Sequence, residues 1–286
     1  VPLAEPSPVP RAVAAVLAVL AVVAALALTT GCGPGGTSSG AGSSAAPRVV
    51  PPRAGAPFDY QIGGGYPPPD GVRVVSRDRA DRPAPGVYSV CYVNAFQAQP
   101  GELSRWRDRD PELLLRDADG DLVMDDEWDE ALLDTSTAAR RAALAGIVGE
   151  WIEDCARRGF DAVEPDNLDS FERSGGLLTP ADNAAFARLL AGRAHAAGLA
   201  FAQKNTTELL PHRAGVGFDF AVAEECGAYG ECGRYAAAYD DRVLVVAYDA
   251  ADFAATCRRW GDRLAVVLRD RDVAPAGEPG HVFRTC

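Results

Sequence analysis

The sequence predicts an α/β fold of the (β/α)8 TIM-barrel type, with short or missing helices between the first strands. Three observations lead there. Eight apolar runs of strand length recur from residue 58 onward. Most are nearly continuous rather than alternating, as strands buried on both faces are. Helical patterns fall between the later runs, and eight strands alternating with helices close most simply as a barrel.

The chain has 286 residues, and its N-terminal part reads as something other than fold. Arg11 precedes the apolar run AVAAVLAVLAVVAALAL (12–28), followed by TTGC. That layout predicts a signal peptide over residues 1–31. TTGC resembles a bacterial lipobox, which would lipidate Cys32, although Leu28 lies one position early. Lipidation, plain secretion and a retained anchor all remain open. Residues 32–57 are rich in Gly, Ser and Pro and poor in large apolar side chains, which predicts a flexible tether. The folded domain is expected over 58–286.

The strand candidates are FDYQIG (58–63), VRVVS (72–76), VYSVCYV (87–93), DAVEPD (161–166), LAFAQKN (199–205), FDFAVAE (218–224), RVLVVAYD (242–249) and RLAVVLRD (263–270). The first three are joined by too few residues for ordinary crossover helices. Residues 94–136, with Trp106 and Trp128, form a long connection expected to fold over the barrel mouth. In 137–158 an apolar stripe of Leu144, Ile147, Val148, Trp151, Ile152 and Cys155 predicts a helix, with Gly159 as its stop. The next helix opens with Thr179 as N-cap, Pro180 at its first position and Asp182 near the capping-box place. Shorter helices fit 229–239 and 250–261.

Seven cysteines fit an exported protein. Setting Cys32 aside leaves an even set. Spacing suggests Cys226–Cys232 as a local bridge and Cys257–Cys286 as a clamp on the C-terminus, which leaves Cys91–Cys155. No CxxC or HxxxH pattern supports zinc, and no metal or organic cofactor is expected. The formal charge of −12 makes nucleic acid and anionic membrane surfaces poor partners. Membrane contact is expected only through a lipid anchor or the N-terminal segment, and the protein is expected to be a monomer. There is no GxSxG, no Gly-rich phosphate loop and no HExxH to support serine-hydrolase, nucleotide or zinc-protease chemistry.

Several strand candidates end in polar groups: EPDN, QKN, AEE, YD and RD. In a parallel barrel all the C-terminal ends open on one face, where catalysis sits. Alternation puts Glu164 and Asp166 on one face of their strand, and Glu224 on the same face as Phe220 and Val222. Two carboxyl groups across a barrel mouth suit glycoside hydrolysis. The only lysine, Lys204 beside 27 arginines, ends one such strand and is a candidate ion-pair partner for Glu164. Tyr60, Tyr92 and Tyr248 read as sugar platforms or as packing, and Asp270 as a site residue or as a salt-bridge partner of its arginine neighbours.

Together, CYVNAF (91–96), GFDAVEPDNLDSF (159–171), AQKN (202–205), FDFAVAEECGAYGEC (218–232) and LRDRD (268–272) resemble glycoside hydrolase family 114, over about 58–286. The resemblance implies an exported (β/α)8 enzyme, an endo-α-1,4-polygalactosaminidase acting on an extracellular, partly deacetylated galactosamine-containing polysaccharide. It implies Asp166 and Glu224 as the catalytic carboxylates. Asp166 would be the nucleophile and Glu224 the acid/base, with the reverse assignment open. It also implies Glu164, Asn167, Lys204 and Asn205 as pocket residues. Two other readings stand beside it: a non-catalytic carbohydrate-binding lipoprotein on the same fold, and a glycosidase for a different glycan.

Overall fold

The computed structural model describes residues 48–286. Eight strands run parallel in the order of the chain: β1 (Phe58–Gln61), β2 (Val74–Asp78), β3 (Tyr88–Asn94), β4 (Ala162–Asp166), β5 (Ala200–Lys204), β6 (Phe220–Glu224), β7 (Val243–Ala247) and β8 (Ala265–Arg269). A ninth, β9 (Phe283–Thr285), pairs antiparallel with β8. The first three strands pair parallel without helices between them, as their short connections require. The apolar run 12–28, the expected signal peptide and Cys32 lie outside the described residues. Among the described residues no helix is long and apolar enough to cross a membrane. Of the expected tether, residues 48–57 are described; Val49 and Ala56 pack on the barrel interior, and the Tyr88 hydroxyl donates to the Val50 carbonyl.

Two apolar layers follow from side-chain alternation. Phe58, Val74, Val90, Ala162, Ala200, Phe220 and Leu244 share the cluster inside the barrel. The intervening residues, such as Val163, Phe201, Ala221 and Val245, pack outward against the helices. The principal helices are α1 (Leu103–Arg109), α2 (Ala138–Arg158), α3 (Pro180–Ala196), α4 (Arg213–Val216), α5 (Cys232–Tyr239) and α6 (Ala250–Trp260). Helix α2 is capped by Thr137 and stopped by Gly159 at φ 94°, a left-handed conformation that glycine adopts without Cβ strain. Thr179 and Asp182 cap each other's backbone N–H at the start of α3.

The connection 94–136 splits in two. Its α1 half leans on the outside, with buried Trp106 edge-on to Trp151 of α2 at 6.0 Å. The other half is a three-stranded antiparallel sheet (Gln97–Ala98, Met124–Asp125 and Glu130–Leu132). Only this half reaches the C-terminal face of the barrel, so the expected cover is partial. The three disulfides join Cys91 to Cys155, Cys226 to Cys232 and Cys257 to Cys286. The first ties β3 to α2, and the last ties the C-terminus to α6.

The barrel is parted between β1 and β8, which lie side by side without a ladder between them. A buried ion pair spans the gap. Arg269 Nη1 lies 3.4 Å from Asp59 Oδ1, and both residues are fully buried. Arg269 also donates to the carbonyls of Val282 and Ala274, while Gln61 and Tyr66 donate to Asp59. Removing one member of such a pair leaves an uncompensated charge. Arg269→Met is therefore expected to cost about 3–5 kcal/mol in equilibrium denaturation. A loss below about 1 kcal/mol would show that the seam does not depend on this pair.

Candidate active site

Alternation also decides what stands at the mouth. The inward-facing positions are apolar at the base of the barrel and polar towards its C-terminal end. On β4 the sequence is Ala162, Glu164, Asp166; on β5, Ala200, Ala202, Lys204; on β6, Phe220, Val222, Glu224. The barrel thus gathers three acids from adjacent strands around one lysine. Lys204 Nζ, almost fully buried, lies 2.9 Å from Asp166 Oδ1, 3.3 Å from Glu164 Oε1 and 3.3 Å from Glu224 Oε2. It also donates to the Tyr60 hydroxyl, which in turn donates to Glu164. Ser76 donates to the other oxygen of Glu164 at 2.6 Å.

One ammonium among three carboxylates divides them. Glu164 is completely enclosed, and burial pushes its carboxyl up despite Lys204 and Ser76. Burial opposes ionisation of Asp166 too, but the Lys204 ammonium and the Tyr92 hydroxyl, which donates at 2.6 Å, outweigh it and hold this carboxyl below its ordinary value. Burial alone would drive Lys204 down; Asp166 and Glu224 outweigh it and hold the ammonium charged. Glu224 receives the Tyr248 hydroxyl at 2.5 Å and the Asn205 amide at 2.9 Å. Burial, with Glu224 alongside, raises Tyr248, so its hydroxyl stays a donor. Because both reach Lys204 Nζ, Asp166 Oδ1 and Glu224 Oε2 are no farther apart than their two contacts laid end to end.

Three strands end in the same device. Asn167, Asn205 and Glu225, each the residue after Asp166, Lys204 and Glu224, have φ of 64°, 48° and 53°. Side chains other than glycine rarely occupy this left-handed region, Asn most readily among them. The chain therefore turns sharply at the strand end. Asn205 uses the turn to hold Glu224 twice, accepting from its backbone N–H at 2.8 Å and donating to its carboxylate.

Above this floor opens a cavity of about 980 Å³. Its lining includes Tyr92, Asp166, Asn167, Lys204, Asn205, Glu224 and Tyr248, so these expected site residues converge. Tyr60 and Glu164 lie beneath it, fully buried, and hold Lys204. Asp270 is outside the lining: it accepts from the backbone N–H groups of Ala274 and Val282, and Asp272 lines the cavity instead. The lining carries twelve carboxyl groups against the cations Arg173, Lys204 and Arg271. Several are residues that the sequence did not single out for the site. Asp125 and Glu130 arrive on the three-stranded sheet, and Arg173 pins Asp125 at 2.8 Å and Asp169 at 2.7 Å. Trp128 and Tyr229 stand at the lining with over half their surface exposed.

The sequence profile of Glycoside-hydrolase family GH114 matches residues 39–286. No significant match was found among curated proteins. Among solved structures the chain resembles Ega3 of Aspergillus fumigatus, solved in complex with galactosamine, at 22% identity and a TM-score of 0.67 over 84% of this chain and 98% of that one. It also resembles a variant of the glycoside hydrolase domain of PelA from Pseudomonas aeruginosa, at 16% identity and a TM-score of 0.53, over 78% of this chain and 96% of that one. At such identities the likeness is one of fold.

Replacing Lys204 by Met removes the charge that offsets Glu164 and Asp166. Unfolding at neutral pH is expected to need about 3–5 kcal/mol less. The sign with pH follows from the depressed carboxyl of Asp166, whose stabilising contribution is present above the ordinary carboxylate range and lost as pH falls through the folded value. The gap between wild type and Lys204→Met should therefore shrink on acidification. Denaturant titrations at pH 7 and at about pH 2.5, below the ordinary carboxylate value, that give the same gap would contradict the ion cluster.

Proposed function

The chain belongs to glycoside-hydrolase family GH114, and on that footing we propose that it cuts inside an amino-sugar polysaccharide of the galactosamine type. The observation that carries the reading is the cavity: an excess of carboxyl groups around a floor where Asp166 and Glu224 share one ammonium. Such a surface attracts a polymer with free ammonium groups and repels acidic glycans. Its volume is at the upper end for a drug-sized ligand, leaving room for more than one ring, as an internal cut requires.

Asp166, held as an anion, attacks the anomeric carbon as the glycosidic C–O bond breaks. Glu224, which must enter the step carrying a proton taken from solvent, gives that proton to the departing oxygen. It then takes a proton from water, whose oxygen displaces Asp166 and frees the sugar. The ceiling on the distance between Asp166 Oδ1 and Glu224 Oε2 falls below the roughly 6.5 Å at which inverting pairs begin, and this close approach of one oxygen pair supports the retaining course. Tyr248 and Asn205 hold Glu224 in place for both proton transfers. The apolar run 12–28 and the lipobox-like TTGC support export, with Cys32 as a lipid anchor or with release, and three disulfides fit an oxidising compartment.

Purified protein is expected to release oligosaccharides from deacetylated galactosaminogalactan; folded protein that releases none across a pH series overturns the reading. Glu224→Gln should lose about 10²–10⁴-fold on polymer but less on a glycoside with an activated leaving group, which needs little protonation. Asp166→Asn should lose activity on both. Near-normal rates in either variant on the polymer would remove that residue from its role.

A further inference from the structure

Glu130 is a carboxyl group whose place in the reaction just described is empty. It lies on the strand Glu130–Leu132 of the sheet beside the mouth, lines the cavity and is only 9% exposed. Its Oε2 accepts from the Asn94 amide at 2.7 Å and the Asn167 amide at 3.4 Å. Those two amides position it beside the reacting centre, since Asn94 pairs in register with Asp166 and Asn167 follows it. Among the described residues no basic group forms an ion pair with Glu130, and no donor reaches its Oε1. Arg173, the cation in its surroundings, is engaged by Asp125 and Asp169. Asp125 faces it from its own sheet, Asp166 from β4 and Tyr92 from β3. Burial, opposed by Asn94 and reinforced by Asp166 and Asp125, lifts its carboxyl to about 7.

A nearly buried carboxylate backed by other anions is costly unless a cation comes to it. The floor of this cavity supplies Lys204 to its own acids but nothing to Glu130. We propose that Glu130 binds the ammonium group of a substrate amino sugar and so reads deacetylation next to the catalytic pair. The assignment rests on the glycosidase reading and names the residue that recognises the amine. Binding at neutral pH converts the protonated fraction of Glu130 to carboxylate: the proton leaves for solvent, and the ammonium takes its place. An N-acetyl group carries no charge and cannot make this exchange.

The test is calorimetric titration of galactosamine into the intact protein, in two buffers of different ionisation enthalpy. Wild type is expected to release protons on binding near pH 6.5. Its affinity should fall about fivefold from pH 7 to pH 6, the fraction ionised for a group at about 7. The charged fraction of the sugar's amine only rises from pH 7 to pH 6, so the loss belongs to the protein. Glu130→Gln should bind about tenfold or more weakly, with no proton release and a flat pH profile. Glu130→Asp should keep the pH dependence, which separates lost charge from lost folding. N-acetylgalactosamine should show neither proton release nor pH dependence with wild type. No measurable galactosamine binding, no proton release in wild type, or the wild-type profile in Glu130→Gln overturns the assignment. Polymer hydrolysis measured in parallel separates the two claims. An active enzyme whose Glu130→Gln variant keeps its KM and its acid limb removes only Glu130. Inactive but folded wild type removes the glycosidase reading beneath it.

Discussion

Lys204 carries the only lysine charge in the chain, and it is buried where three acidic side chains meet. In a medium of low polarity neither a lone ammonium nor a set of neighbouring carboxylates is tolerable alone. Each is kept by the other. The ammonium is closest to Asp166, so that carboxyl stays ionised, while the fully enclosed Glu164 is pushed the other way. Two acids two residues apart on one strand are therefore shifted in opposite directions, by enclosure and by distance to one nitrogen. Hydroxyls of Tyr60, Ser76, Tyr92 and Tyr248 complete the set by donating to carboxylate oxygens.

The barrel is what brings these groups together. Every second residue of each strand faces inward, and parallel strands deliver their last inward residue to the same rim. Left-handed residues after β4, β5 and β6 turn the chain away at once, so Asp166, Lys204 and Glu224 are the last inward positions before the loops. The seam between β1 and β8 is the weak point of such a ring, and Arg269 with Asp59 fills it with a buried, hydrogen-bonded pair.

Much of this was legible in the sequence. The eight strand runs were visible because both faces of each are buried. The floor of the site was visible because polar residues ended apolar runs at matching places. Lys204 stood out by rarity. Asp270 takes the second of its two readings, an ion-pair partner of Arg269 at 3.7 Å, for a physical reason. It follows β8 immediately and turns back to accept two loop N–H groups, and the chain delivers Asp272 to the cavity. Glu130 and Asp125 could not be placed at the site from the sequence, because strands of two or three residues carry no period. What holds them is tertiary: Arg173 on Asp125, and Asn94 and Asn167 on Glu130.

An acidic cavity with an ionised carboxylate at its floor suits substrates that bring positive charge. On the proposed course, such a substrate screens the surrounding carboxylates while Asp166 attacks. The most direct measurement of this arrangement is covalent trapping. An activated 5-fluoro galactosaminyl donor, which slows the second displacement, is incubated with the protein, and the labelled peptide is found by mass spectrometry. The sugar is expected on Asp166. Label on Glu224, or turnover of the donor to an inverted product with no label on the protein, would contradict the role given to the carboxylate that Lys204 holds ionised.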